Sequence, residues 1–561
     1  MKRFLSVLLT LALVLGMVSV SAVAEEKELL TIDVYDDAAN YNGLQTGWFA
    51  KVIKDRFNIE LNIIASQVVG NQVYATRSEE GNLGDIILVD KAKFPEIVEA
   101  GLAKDISDKL PECENIMKFK TQIDVYNKGL TGEEGKYYGI PTEMTDTSPS
   151  TLTDDVIYSS PMLRWDLYKQ IGAPKLENLD DLLAALQKIH EIHPTNEDGD
   201  PAYPFSLWPD WDGNDNMIGI ANVVQLTTWY GEKLKGSAML KPDNTFSPLY
   251  DRANAYYKIT KFLNKANQMG LVDPDSGTQN WDNAVSKMSS GRVDVMWYSW
   301  QTGFWNSVDR LNAGTAFRFI PVGDMNFYAD ADRYYGSDRM FGIGSKVEGE
   351  KYDRIMAFLD WYASPEGATF QHNGIEGLNY VVENGKFKPY KDNALMDNLP
   401  VPEEYGGGGY NDGNNQINQW IVSSICVNPE TGERFAQKYW QSYKDMTMTE
   451  MKKEWTEMFG AEDDVAWMKQ NNKLLASPSV DFTPKADNND IIALRSEVNK
   501  ALCEYTWNLI MTCTTDEEFE AMWDEMITQL DGFGYQDLFA YDCEVWQPEI
   551  DAKVAAAAAV Q

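Results

Sequence analysis

The chain is expected to fold as a layered α/β protein. Short β-branched runs alternate along it with amphipathic helical segments, and turn residues separate the two. Its 561 residues allow two to four domains at roughly 100–200 residues per domain. A hydrophobic share of 44% with 12% aromatics supplies the buried core that disordered chains lack.

The elements follow in order. Lys2 and Arg3, the apolar run Phe4 to Val18 and the small-residue end Ala22-Val23-Ala24 have the three-part layout of a secretory signal covering residues 1–24. An uncleaved anchor is the alternative, since the apolar run approaches spanning length. Cleavage removes Lys2 and Arg3 and takes the net charge from −37 to −39. Leu29 to Tyr35 is the first expected strand, followed by a polar loop from Asp36 to Thr46 and a helix around Trp48 to Arg56. Ile59 to Ala65 is a second strand, and Gly84 to Asp90 a buried third, bounded by a turn and an acid, that leads into a helix near Phe94 to Ala100.

Leu163, Leu167 and Ile171 recur at helical spacing before Gly172, a helix stop. Asn178 is placed to cap a helix whose apolar face is Leu179, Leu182, Leu183, Leu186 and Ile189. Val293 to Tyr298 is a strand rising from the turn Gly291-Arg292. Ile355, Phe358, Leu359 and Tyr362 form a further apolar face, closed by Ser364-Pro365. Two stripes near the end, Val498, Leu502, Tyr505, Leu509 and Phe519, Met522, Met526, Leu530, are core faces. Gly406 to Gly409 with Asp412 to Asn415 marks a flexible loop, and residues 546–561 a C-terminal tail with low-complexity alanines.

Charge and motif content narrow the function. An excess of 86 acidic over 49 basic residues disfavours nucleic acid, whose phosphates need surplus Lys and Arg, and anionic membrane surfaces for the same reason. Five cysteines in so long a chain do not make a disulfide scaffold, and none stands in the signal region as a lipid-anchoring residue. No Gly-x-Ser-x-Gly elbow, phosphate-loop lysine or Cys-x-x-Cys motif occurs. Of the three histidines, His190 and His193 share a helical face but stand before Pro194, so a frayed helix end is expected rather than a metal pair, and His372 is expected to be structural or exposed. Asn196-Glu197-Asp198-Gly199-Asp200 has part of a calcium-loop pattern without the first ligand or the closing glutamate, so an acidic turn and no metal are expected. No cofactor is implied.

Aromatic clusters carry more information. Tyr203 to Trp208 is followed by a loop holding Trp211 and Asp212, and Trp297, Tyr298, Trp300, Phe304 and Trp305 crowd into nine residues. In α/β sheets ligands bind beyond the carboxyl ends of strands, where both clusters fall. Flat rings cover the apolar faces of a sugar, while Asp, Glu and Asn pair with its hydroxyls. Core packing is the competing account of any single tryptophan.

Several segments together resemble the extracellular solute-binding proteins of ABC importers, in the long carbohydrate-type branch of family 1. Gly135-Lys136-Tyr137-Tyr138-Gly139-Ile140-Pro141, Leu163 to Tyr168 with Ile171 to Pro174, and Gly270 to Asp275 are similar to that family's motifs. Trp361-Tyr362-Ala363-Ser364-Pro365-Glu366-Gly367 and Gly374-Ile375-Glu376-Gly377-Leu378-Asn379-Tyr380 are the most distinctive. The resemblance implies a two-lobed type II periplasmic-binding-protein fold with a hinge and an interlobe ligand cleft. Lobe one would hold residues 25–140 plus 338–370, and lobe two 141–337 plus 371–545. It further implies a monomeric, exported, non-catalytic protein that captures an oligosaccharide and delivers it to ABC permease subunits in the membrane. A secreted glycan-active enzyme, or the same fold carrying a peptide or amine, stays open. Trp208, Trp211, Trp297 and Trp300 are the expected stacking residues, with Trp48 and Tyr298 as further candidates. Asp36, Asp90, Glu143, Asp212 and Glu376, each near a strand or crossover end, are the expected hydrogen-bonding residues.

Overall fold

A computed structural model of the chain describes residues 28–146, 157, 159–213, 218–330, 333–390, 400–410, 416–417, 419–446, 448–482 and 484–560. The expected signal segment and Asp412 to Asn415 lie outside them. In chain order the strands are β1 (Leu30–Asp36), β2 (Gly43–Leu44), β3 (Ile59–Ala65), β4 (Ile86–Asp90), β5 (Gly139–Pro141) and β6 (Ser159–Arg164). Then come β7 (Lys233–Lys235), β8 (Ala238–Leu240), β9 (Phe246–Pro248), β10 (Val295–Tyr298), β11 (Phe317–Phe319), β12 (Phe327–Asp330) and β13 (Arg339–Ile343). The last are β14 (Tyr380–Glu383), β15 (Lys386–Pro389) and β16 (Leu474–Ser477). Of the helices, those used below are α1 (Gly47–Phe57), α2 (Leu179–Ile192), α3 (Ala255–Gln268), α4 (Gly349–Tyr362), α5 (Asn489–Met511), α6 (Asp516–Phe533) and α7 (Tyr535–Val560).

Two sheets organise two lobes. The first has six strands in the order β2-β3-β1-β4-β13-β5, with β1 parallel to β3 and β4 and β13 antiparallel to β4 and β5. Ile32 and Val34 of β1 face one core and Tyr35 faces another, so this sheet is covered on both sides, as parallel strands require. The second lobe holds the three-stranded sheet β10-β6-β11, antiparallel throughout, and the sheet β7-β8-β9. Parallel pairing of β12 with β16 joins residues 327–330 to 474–477 within the crossover region.

Core membership corrects the expected lobe boundaries. One core draws on residues between Ile32 and Met144 and between Phe341 and Phe435; the other spans Ile157 to Ala329 and Met451 to Leu538. Ile375, Leu378, Tyr410, Ile421, Val422 and Phe435, expected in lobe two, therefore pack in lobe one. The crossover falls after Phe435 rather than at 370, because burial against α1 and α4 and not any local motif holds this segment. The expected tail is also corrected: α7 runs unbroken through residue 546, and Glu549 and Ile550 are buried along it.

Local expectations fare better where capping or alternation decides. The Asn178 side chain accepts the N–H groups of Asp180 and Asp181 at 2.9 and 3.1 Å and starts α2, whose five expected apolar positions are buried. Leu163, by contrast, belongs to the fully buried central strand β6, and the helix begins only at Trp165. Three apolar residues four apart fit either element when every side chain of a strand is buried. All five cysteines are free.

Candidate functional site

The aromatic clusters expected to form a binding wall come together in one block at the end of β10. Trp208 stacks on Trp297 with ring centroids 5.4 Å apart and planes 11° from parallel. Trp211 meets Trp208 edge-on at 5.1 Å and Tyr298 at 6.0 Å, while Tyr298 stacks on Trp300 at 5.0 Å and 24°. The strand places them: Trp297 and Tyr298 are its last residues, and the short 3-10 turn after it swings Trp300 back over Tyr298. Gln301, itself buried, accepts the backbone N–H groups of Trp297 and Tyr298 at 2.9 and 3.0 Å and so fixes that turn.

Exposure separates the rings. Trp208 and Trp297 have no accessible surface and Tyr298 has 5%, whereas Trp300 keeps 38%. The indole N–H groups of Trp208 and Trp297 are buried without a hydrogen-bond partner among the described residues. Trp208 and Trp297 are thus the floor of the block, and Trp300 its accessible top. Sequence reasoning missed Trp281, which packs 4.6 Å from Trp211 and 4.7 Å from Trp208. It starts a separate helix, held by its backbone N–H on Asp210 at 2.6 Å, and stands alone in the sequence with no neighbouring aromatic to mark it.

In the first lobe, Asp36 and Asp90 end β1 and β4 and Ser66 follows β3; Asp36 is in register with Ala65 of β3 and Leu88 of β4. Asp36 is fully buried, and one of its oxygens accepts the Ala38 N–H at 2.9 Å while the other has no partner among the described residues. Burial pushes its carboxyl up to about 8, against the pull of Arg339 and with the Asp37 charge adding to the rise. Asp37 pairs with Arg339 at 2.5 Å and accepts the Asp90 N–H at 3.2 Å, so Asp36 and Asp90 share one polar cluster. The Asp90 side chain caps its own turn through the Ala92 N–H at 2.7 Å.

Other expected site residues are placed elsewhere. Trp48 is a core residue: it has no accessible surface, stacks on Tyr410 at 5.2 Å and 17°, and donates its indole N–H to the Tyr410 carbonyl at 3.0 Å. Both Asp212 oxygens are engaged inward, accepting Ala221 N–H at 2.9 Å and the Trp507 indole N–H at 2.7 Å, and burial pushes its carboxyl up to about 7. Glu143 pairs with Arg333 beside the crossover, in a left-handed backbone conformation at φ 51°. Glu376 is exposed on a turn built by its neighbours. Gly374 there has φ 77°, and a Cβ would collide with the Asn379 carboxamide, whose oxygen accepts the Ile375 N–H at 2.7 Å. That motif is a turn, and its glutamate is incidental to it.

The histidines and the acidic loop are engaged in contacts within the fold. His193 Nδ1 lies 2.9 Å from Asp294 Oδ1, and Asp294 is wholly buried, which replaces the expected frayed end with an interior pair. His190 stacks on Tyr203 at 5.9 Å and 18°. Burial lowers His372 to about 4 while its Nε2 meets the Val422 carbonyl at 3.0 Å. The Asn196 side chain accepts the N–H groups of Asp198 and Asp200 at 3.1 and 2.8 Å, an internally satisfied turn. Among the described residues no group of three or more His, Cys, Asp or Glu is placed to hold a metal, and no helix is long and apolar enough to cross a membrane.

A model of the family described as bacterial extracellular solute-binding protein matches residues 42–369, more than half of the chain. The chain is 25% identical over 320 residues to Lipoprotein LipO of Bacillus subtilis (strain 168), covering 55% of this chain and only 58% of that relative's length. Among solved structures it is similar to the alginate-binding protein AlgQ2 without calcium ion, at 16% identity over 93% of this chain and 98% of that one, TM-score 0.57. The Streptococcus pneumoniae ABC-transporter substrate-binding protein FusA in complex with kestose aligns over 93% and 99% at 13% identity, TM-score 0.58. An HMO-binding, ABC-transporter-associated solute-binding protein of Bifidobacterium longum infantis aligns over 94% and 100% at 15% identity, TM-score 0.54. At such identities these likenesses establish the two-lobed fold.

Proposed function

Because the chain belongs to the bacterial extracellular solute-binding protein family, we propose that it is the exported, substrate-binding component of an ABC importer and that its cargo is an oligosaccharide. It binds its ligand between the lobes, hands it to membrane permease subunits and returns it chemically unchanged. The observation that carries the sugar reading is Trp300, 38% exposed above a wall of buried rings and backed by Tyr298. An indole so supported offers a rigid apolar platform to a sugar face at little entropic cost. At the first sheet, the Asp37 carboxylate, charge-paired with Arg339, and the Asp90 carboxyl group supply polar groups suited to hydroxyls. The names of the similar structures, which bind alginate, kestose and HMO, agree with a glycan cargo.

A thermal-shift screen of residues 25–561 against mono- and oligosaccharides, peptides and amines tests the reading. A ligand at 100 times its dissociation constant adds about 2.7 kcal/mol to stability. A sugar must stabilise the protein and be recovered intact, and Trp300→Ala must weaken that sugar's affinity by ~2 kcal/mol while leaving the unliganded midpoint unchanged. Stabilisation by a peptide or amine alone overturns the sugar assignment, and turnover of the glycan overturns the transport role.

A further inference from the structure

One side-chain hydrogen bond spans the lobes at the aromatic block, and its groups are held from both sides. The Trp211 indole N–H donates to the Asn40 side-chain oxygen at 3.1 Å. Asn40 belongs to the loop after β1 in lobe one; Trp211 belongs to lobe two. The Asn40 oxygen also accepts Gln67 Nε2 at 3.1 Å, and the same Gln67 amide donates to the Ala38 carbonyl at 2.5 Å. Gln67 follows β3, so the ends of two neighbouring strands aim the acceptor before lobe two arrives. On the far side, Asp212 ties the loop beside Trp211 to α5 through Trp507 and to the backbone at Ala221. The side-chain oxygen of Asn499 in α5 accepts the Gly219 N–H at 2.8 Å, at the end of the same loop.

We propose that Asn40 is a closure latch: oriented by Gln67, it captures the Trp211 indole of the opposite lobe, and Asp212 is the positioning residue that presents Trp211 to it. The inference rests on the two-lobed reading and not on the nature of the cargo. It reassigns two residues expected to contact ligand. The Trp211 N–H is spent on lobe one and both Asp212 oxygens on lobe two, which leaves the exposed Trp300 ring for stacking. The closed form is thereby tied to the position of one wall ring, so a cargo that shifts Trp211 changes the closing equilibrium by as much as it strengthens or breaks this bond. A single part-buried neutral hydrogen bond moves a balanced open–closed equilibrium several-fold without locking it.

The test needs no ligand. Small-angle X-ray scattering of the cargo-free protein, residues 25–561, reads the open fraction, and indole ¹⁵N–¹H spectra read the Trp211 N–H, identified by its loss in Trp211→Phe. Asn40→Ala and Trp211→Phe are expected to raise the radius of gyration, and Asn40→Ala to shift the Trp211 indole resonance toward a solvent-bonded position. Asn40→Asp, which keeps an acceptor, is expected to scatter as the wild type. The double variant is expected to open no further than either single one, since each removes the same bond. Wild-type scattering from both single variants overturns the latch, as does an opening of the double variant equal to the two separate effects combined. Asp212→Asn is expected to open the protein with the Asn40–Trp211 pair intact in sequence; an unchanged profile removes its positioning role. Success here with no sugar hit in the thermal screen would leave the latch standing while the cargo assignment fails.

Discussion

A carboxylic acid with one fully buried oxygen that has no partner among the described residues makes Asp36 the most consequential single residue at the strand ends. Its folded-state pKa, about 8, lies above the ordinary aspartate value, so the native state favours the protonated form. The contribution of Asp36 to stability is therefore fully present below pH ~3.8 and is lost as pH rises through about 8. Asp36→Asn keeps an oxygen for the Ala38 N–H and removes the charge. Chemical denaturation from pH 4 to pH 8 is expected to show a flatter stability profile for this variant, with the variant more stable than wild type at pH 8. An unchanged slope would mean that Asp36 does not titrate in that window. The type and approximate place of this residue were legible, because an aspartate ends a β-rich run. Its burial was not, since that depends on β3 and β4 closing on either side. Trp48 shows the same limit in reverse: an indole near a loop has no sequence mark of the Tyr410 ring, 362 residues away, that stacks on it.

Helix α2 shows what an element owes to local chemistry. Asn178 holds two N–H groups, Asp180 and Asp181 sit at the positive helix end, and six side chains face the core. Asn178→Ala should cost about 1 kcal/mol, measured as a lower denaturant midpoint with an unchanged slope. A change in slope instead would mean that the cap shapes the unfolded state or the cooperativity. Such elements were readable because capping and a 3.6-residue period act within one segment. The strand β6 was not, for a strand buried on both faces loses the alternation that would distinguish it. The aromatic wall falls between these cases. Its β10 half was visible as five aromatics in nine residues, while Trp281, from another helix, entered only through packing.

At the scale of the molecule, the described residues pass between the lobes three times, and each lobe is assembled from two separated stretches of them. β13 lies between β4 and β5 in the first sheet, so residues 28–146 by themselves leave β5 without a neighbour and half the core uncovered. That fragment is expected to give no cooperative thermal transition by circular dichroism; a sharp two-state melt would show that β13 is dispensable to the lobe. The α/β class, most elements of the first sheet, the capped helix and the aromatic loops at strand ends were determined by the sequence itself, because periodicity, turn chemistry and capping are written within a dozen residues. The family motifs were equally visible, since they too are local strings. Only the tertiary structure decided that Ile375, Leu378, Tyr410, Ile421, Val422 and Phe435 belong to lobe one, that Trp48 and Glu376 stand apart from the wall, and that Asp212 faces inward. It also decided that Asn40 meets Trp211. These are contacts between residues up to several hundred positions apart, and nothing in a local segment encodes which distant surface will exclude water from it.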